Sequence, residues 1–229
     1  MSNILALGNA ACNIVTTLER YGAYNIYRIQ NEGKKSKNTY IIQELETAEE
    51  YENLKIFSKI PFLKNIKGSV TFFVCGASKS SAFSLKLLES LHKRKVKIKI
   101  VYFQADMEFA GEEQAKQERV VRNVLQEYAR SGLFEDITLV SNKTLESFVD
   151  KINVFEYYKQ INDVFCSSFH MIEVFKNTKP VMSTFSRLRE SCRVKTIGVS
   201  TLSCEDRAFS PFNQEVEVLY YLGINEEKL

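Results

Sequence analysis

The residues Gly76-Ala77-Ser78-Lys79-Ser80-Ser81 follow the apolar run Val70-Thr71-Phe72-Phe73-Val74 and precede Ser84-Leu85-Lys86-Leu87-Leu88, which has helical spacing. A glycine turn that feeds small polar residues into a helix start offers main-chain N–H groups and hydroxyls to an anion, and Lys79 adds a positive charge. The chemistry this pattern fits is the holding of a phosphate. The order is not the Gly-x-x-x-x-Gly-Lys-Ser/Thr of the commonest phosphate loop, and an ordinary serine-capped helix start has the same composition.

Two further turns share that setting. Gly8-Asn9-Ala10-Ala11-Cys12-Asn13 leads from an opening apolar run into a helical pattern, without the second and third glycines of a dinucleotide fingerprint. Asn142-Lys143-Thr144 follows the run 137–141, where Asn142 suits either a ligand contact or a left-handed turn. His92 and His170 lie far from each other and from any cysteine cluster, which gives a zinc centre little support. No Gly-x-Ser-x-Gly nucleophile elbow occurs.

Such turns need strands behind them and helices after them. Strand patterns at 4–8, 24–30, 39–43, 70–75, 96–103 and 137–141 alternate with helical patterns at 11–21, 81–93, 112–130 and 153–176. The alternation predicts an α/β, three-layer, Rossmann-like sheet that is mainly parallel, with helices on both faces. Several strands are apolar on both faces, as covered strands are. In the long last helix Phe155, Tyr158, Ile161, Phe165, Phe169, Ile172 and Phe175 recur at helical spacing and read as a core face. Pro180 closes that helix. Two more strands are expected at 194–202 and 215–221, so the chain divides into a nucleotide-binding-type domain, 1–178, and a reduced C-terminal subdomain, 179–229.

With 229 residues, 45% of them apolar, the chain can fill a substantial core. Its five cysteines are odd in number and scattered, which reads as a reduced, intracellular protein. No stretch approaches the roughly 20 apolar residues of a membrane span. The formal net charge is only +3, so no global field draws the chain to nucleic acid. The basic run His92-Lys93-Arg94-Lys95-Val96-Lys97-Ile98-Lys99 reads first as a solvated helix end followed by a strand, and second as a nucleic-acid contact through Lys93 to Lys99.

Taken in order, these pieces resemble the nucleotide-binding domain of the tubulin and FtsZ superfamily. Residues 4–13 resemble its first strand and loop, and Ile26-Tyr27-Arg28-Ile29-Gln30-Asn31-Glu32 its second strand. Residues 98–119, with Phe109 and Gly111, resemble its fifth strand and following loop, and residues 134–148 its sixth. Tyr157-Tyr158-Lys159-Gln160-Ile161-Asn162-Asp163-Val164-Phe165 resembles the start of its long central helix. The resemblance spans about residues 3–202.

It implies GTP or GDP with Mg2+ as the ligand. The loop residues Gly8, Gly76, Ser78, Lys79 and Ser80 would lie at the phosphates, and Asn13, Asn142, Tyr158 and Asp163 around guanine. A carboxylate accepts from the guanine N–H groups while an aromatic ring stacks on its face.

The departures from the family pattern set further expectations. Where the family has Gly-Gly-Gly-Thr-Gly-Ser/Thr-Gly, this chain keeps one glycine, Gly76. Residues 43–69 offer Glu44, Glu46, Glu49 and Glu50 in place of a glycine-rich phosphate sensor, and those charges would repel a triphosphate unless a divalent cation intervened. The family's Asn-x-Asp-Phe-x-Asp loop is matched by residues 181–189, where Thr184 and Arg187 replace the acids and neither is a general base at neutral pH. Hydrolysis is therefore expected to be weak or lost, with no catalytic residue and no metal ligand assigned.

The resulting expectation is a structural or assembly protein that acts through self-association or protein partners. Its economy suits a viral or accessory role. An active GTP-driven filament former, a nucleic-acid-binding accessory protein and an unrelated Rossmann-like enzyme are the alternatives.

Overall fold

Successive strand residues face opposite sides of a sheet, so the wholly apolar Ile4-Leu5-Ala6-Leu7 needs cover on both sides. The computed structural model supplies it, and it describes residues 2–108, 110–149, 156–178, 188–200, 207–214 and 217–221. The strands are β1 (Ser2–Leu7), β2 (Tyr24–Gln30), β3 (Thr39–Ile41), β4 (Ser69–Cys75), β5 (Lys97–Gln104), β6 (Asp136–Ser141) and β7 (Val194–Lys195). They form one sheet in the order β3-β2-β1-β4-β5-β6-β7, with every pair parallel.

The helices are α1 (Asn9–Leu18), α2 (Ala48–Glu52), α3 (Ser84–His92), α4 (Glu112–Arg130), α5 (Asn142–Glu146) and α6 (Tyr157–Asn177). Leu5, Leu7, Phe72, Ile100 and Tyr102 face one layer with Leu87 and Leu91 of α3 and Leu125 of α4. Ile4, Ala6, Phe73, Val101 and Phe103 face the other with Val15 of α1 and Ile161, Phe165 and Phe169 of α6. Phe165 is fully buried, and its ring stands edge-on to Phe103 at 4.8 Å.

The α/β class and the parallel sheet agree with the sequence pattern, and β2 and α4 coincide with the expected 24–30 and 112–130. The helix expected at 81–93 begins differently. A 3-10 turn, Lys79–Phe83, comes first, and α-helix starts only at Ser84. Ser81 explains this locally, because its hydroxyl turns back to donate to Gly76 O at 2.8 Å.

The strand expected at 194–202 also divides. After β7, the Thr196 hydroxyl donates to Leu139 O at 2.9 Å, which takes an acceptor on β6 that further pairing would use. The chain then forms β8 (Gly198–Val199), antiparallel to β9 (Arg207–Ala208). Phe209, just beyond, is fully buried in the layer of α1 and α6. No strand occurs over the described residues 217–221. Phe109, Phe155, Pro180, Thr184 and Arg187 lie outside the described residues.

Candidate functional site

Parallel strands place all their following loops at one edge of the sheet. In this order, successive strands are added outward from the β1–β4 pair, β2 and β3 on one side and β5, β6 and β7 on the other, and open α/β sheets bind ligands at such a switch point. The two loops there begin at Gly8 and Gly76.

Gly8 has φ 86° and ψ 157°, a backbone region that only glycine adopts without strain. A Cβ on it would stand 2.8 Å from Ser80 Oγ and 3.6 Å from Ser78 Oγ. The fold therefore brings Gly8, Ser78 and Ser80 together. The two serine hydroxyls hydrogen-bond each other at 2.7 Å, and Lys79 between them is exposed. Asn9 fastens the first loop to the end of β2, its Oδ1 accepting from Asn31 N–H at 2.9 Å.

Gly76 is held from below. Its N–H donates to Phe103 O at 3.1 Å, and a Cβ there would lie 1.7 Å from Tyr102 Oη and 2.2 Å from Glu118 Oε2. The Ser81 N–H donates to Ser78 O at 2.9 Å. With the Ser78 N–H, which donates to Cys75 O at 3.4 Å, three N–H groups of the 76–81 loop thus serve the fold and not an incoming anion. Cys12 and Cys75 lie beside these loops, and burial pushes both thiols up to about 12, too high for a thiolate nucleophile at neutral pH.

Asn142 opens α5, and Ser141 caps that helix by accepting from Thr144 N–H at 3.3 Å. Lys95 is the one non-glycine residue with positive φ among the described residues, so the left-handed turn weighed for Asn142 does not form. Asn13 lies exposed on α1.

Tyr158 is 75% exposed, so the core stripe of α6 starts below it at Ile161. Asp163 is engaged elsewhere, its Oδ1 pairing with Arg20 Nη1 at 2.6 Å. Five positions of an α-helix also set Asp163 about 140° around the axis from Tyr158. Asn162, four positions on, shares Tyr158's face and is partly buried. The Arg20 guanidinium lies over the Tyr21 ring, which stacks on His170 at 3.7 Å. Burial, with the Arg20 charge second, holds His170 below the usual imidazole range. Arg20, Tyr21, Asp163 and His170 therefore form a clamp between the end of α1 and the middle of α6.

Of the glutamates at 44–50, Glu50 is a helix cap. Its Oε2 accepts from the Glu46 N–H at 2.9 Å and the Thr47 N–H at 3.3 Å, while Thr47 Oγ1 accepts from Glu50 N–H. No group of three or more histidines, cysteines or acids that could hold a metal ion occurs among the described residues. In the basic run, Lys93 pairs with Glu89 at 2.6 Å, and Lys97 and Lys99 both face Glu135, at 3.4 and 3.9 Å. Among the described residues no helix is long and apolar enough to cross a membrane.

The element that sequence reasoning passed over is Glu118, which is 3% exposed beneath Gly76. Its signal was present, because it falls in phase with Val121, Leu125 and Ala129, the buried face of α4.

Solved structures of other proteins share this architecture. FtsZ from M. jannaschii, solved as an empty dimer, matches with a TM-score of 0.66 and 12% identity, over 86% of this chain and 62% of that one. CetZ2 from Haloferax volcanii, a GTPγS-bound protofilament, matches with a TM-score of 0.61 and 12% identity, over 75% of this chain and 58% of that one. The fold is that of the tubulin/FtsZ superfamily. TubZ from bacteriophage PhiKZ, also a protofilament, carries the same tubulin/FtsZ fold, with a TM-score of 0.53 and 13% identity over 75% of this chain and 57% of that one. The chain spans about three-fifths of the length of these relatives. No family model and no curated protein matches the sequence.

Proposed function

We propose that this chain is a divergent tubulin/FtsZ-like structural or assembly protein that binds a guanine nucleotide at the β1–β4 switch point and hydrolyses it poorly. The observation that carries the reading is the loop pair itself. Gly8 keeps the glycine-only conformation that lets the Ser78 and Ser80 hydroxyls close over it. A polar, closely packed turn is thus retained where a phosphate would sit. With Lys79 it offers hydroxyls and a positive charge to an anion, in place of the open glycine cradle.

Mg2+ would accompany the nucleotide and offset its charge. The base would lie against Asn13, Asn142 and the exposed ring of Tyr158. Asn162 on the Tyr158 face is better placed to read it than Asp163, which would first have to leave Arg20. Thr184 and Arg187, where the family has acids, support weak hydrolysis. The protofilaments of CetZ2 and TubZ support self-association as the role, inside a cell or an infected cell.

Titration of fluorescent GTP and GDP with Mg2+, with light scattering recorded in parallel, tests the reading. Saturable binding that changes the scattering is expected. Absence of binding at millimolar nucleotide overturns the nucleotide part and leaves a scaffold.

A further inference from the structure

Glu118 buries a carboxyl directly beneath the 76–81 loop. The residue is 3% exposed, and neither Oε1 nor Oε2 has a hydrogen-bond partner among the described residues. Tyr102 Oη donates to the Glu118 main-chain oxygen at 3.1 Å and lies close enough to the carboxyl to act on it. Directly above lies Gly76, whose missing Cβ would be 2.2 Å from Oε2. The neighbouring Gln117 donates from Nε2 to Ser81 Oγ at 3.1 Å, and that hydroxyl donates to Gly76 O. Both ends of the 76–81 loop are therefore tied to one turn of α4.

Buried polar groups in native proteins are almost always paired, so an orphan carboxyl under a loop of this kind calls for a physical reason. Burial of a carboxyl this deep favours the protonated form, because the charged form loses its hydration. We propose that Glu118 is the proton switch of an oxyanion site on the 76–81 loop, which takes a phosphate-type anion together with a proton. The identity of the anion as a nucleotide phosphate rests on the reading above, whereas the switch itself does not. With Glu118 ionised, its charge lies behind Gly76 and opposes an anion on the loop. With Glu118 protonated, that opposition is gone. Anion and proton therefore favour each other, and the linkage is reciprocal.

The surroundings set the working range. Burial pushes the Glu118 carboxyl up to about 7, against the opposing pull of Tyr102, Arg122 and the Ala105 N–H. The other groups facing it hold one charge state near neutrality. Burial pushes Tyr102 on β5 far up and Cys75 on β4 up to about 12, so both stay neutral, and the guanidinium of Arg122 on α4 acts on the carboxyl by charge. Lys79 on the loop is exposed and positive. Glu118 is thus the group in this cluster that exchanges a proton near neutral pH.

The test uses the whole chain and sulfate, whose charge is constant over the range studied. Sulfate affinity is read from thermal stabilisation of wild type and Glu118→Gln at about pH 6 and about pH 8. The expected result is affinity about tenfold tighter at the lower pH in wild type, and equal at both in Glu118→Gln. No pH dependence, the same dependence in both proteins, or no stabilisation at either pH would overturn the proposal.

Should the variant fail to fold, calorimetry of wild type in buffers of differing ionisation enthalpy gives the same answer. Uptake of about half a proton per sulfate near pH 7 is expected, and none would refute the switch. Fluorescent GDP is titrated under the same conditions. GDP binding with no pH effect retains the nucleotide reading and removes the switch. A pH-dependent sulfate effect without GDP binding does the reverse.

Discussion

Replacing Glu118 by glutamine removes an ionisable group that the core layer of α4 must accommodate. Burial carries the carboxyl from 4.5 to about 7. At about 1.4 kcal/mol per pH unit, that displacement amounts to about 3 kcal/mol of stability linked to pH. The sign follows from proton counts. Between 4.5 and about 7 the folded chain holds the Glu118 proton that the unfolded chain has released, so stability falls as pH rises through this window. The contribution is fully present below 4.5 and lost above about 7. Glutamine keeps the shape and has no proton to lose. In urea denaturation the two proteins should therefore be nearly equal at about pH 5, with Glu118→Gln more stable by about 3 kcal/mol at about pH 8, equivalent to about 6–12 °C in melting temperature. Parallel stability curves for the two proteins, or a wild type that gains on the variant as pH rises, would refute the reasoning.

Other perturbations have equally definite outcomes. Gly8→Ala forces a side chain into a glycine-only conformation and against Ser80, so it should cost about 1–3 kcal/mol in urea denaturation, and Ser80→Ala in the same chain should restore only part of that. Phe165→Ala empties the ring cluster of Phe73, Phe103 and Phe169 and should cost about 3–5 kcal/mol, read by the same method. Asn162→Ala should weaken fluorescent GDP binding by up to about tenfold, while Asp163→Ala, which removes an exposed ion pair, should leave it nearly unchanged and shift stability by less than about 1 kcal/mol.

Elements with a clean period were legible in the sequence. β2 and the nineteen residues of α4 coincide with their patterns because β2 buries Tyr27 and Ile29 on one face and Ile26 on the other, and α4 buries Val121, Leu125 and Ala129 at helical spacing. α2 was missed because five residues are too few to show a helical period, although Thr47 and Glu50 spell a capping box. The start of α3 shifted because hydroxyl bonds among Ser78, Ser80, Ser81 and Gly76 favour a tighter turn than an α-helix. At the site, the convergence of the Gly8 and Gly76 loops follows from strand order and was foreseeable. The Arg20–Asp163 pair was not, because it joins positions 143 residues apart and neither residue type names its partner. Glu118 was overlooked because acids on a helix usually face water, and only its phase with Val121 and Leu125 marks it as buried.

The most direct test of an assembly protein that hydrolyses GTP poorly is the rate of phosphate release from GTP with Mg2+ per molecule of protein, measured across a wide range of protein concentration. A rate that stays near background at every concentration is the expected result. A rate that climbs as the protein concentration rises would mean that neighbouring copies complete an active site, and would contradict the proposal that this chain binds guanine nucleotide and hydrolyses it poorly.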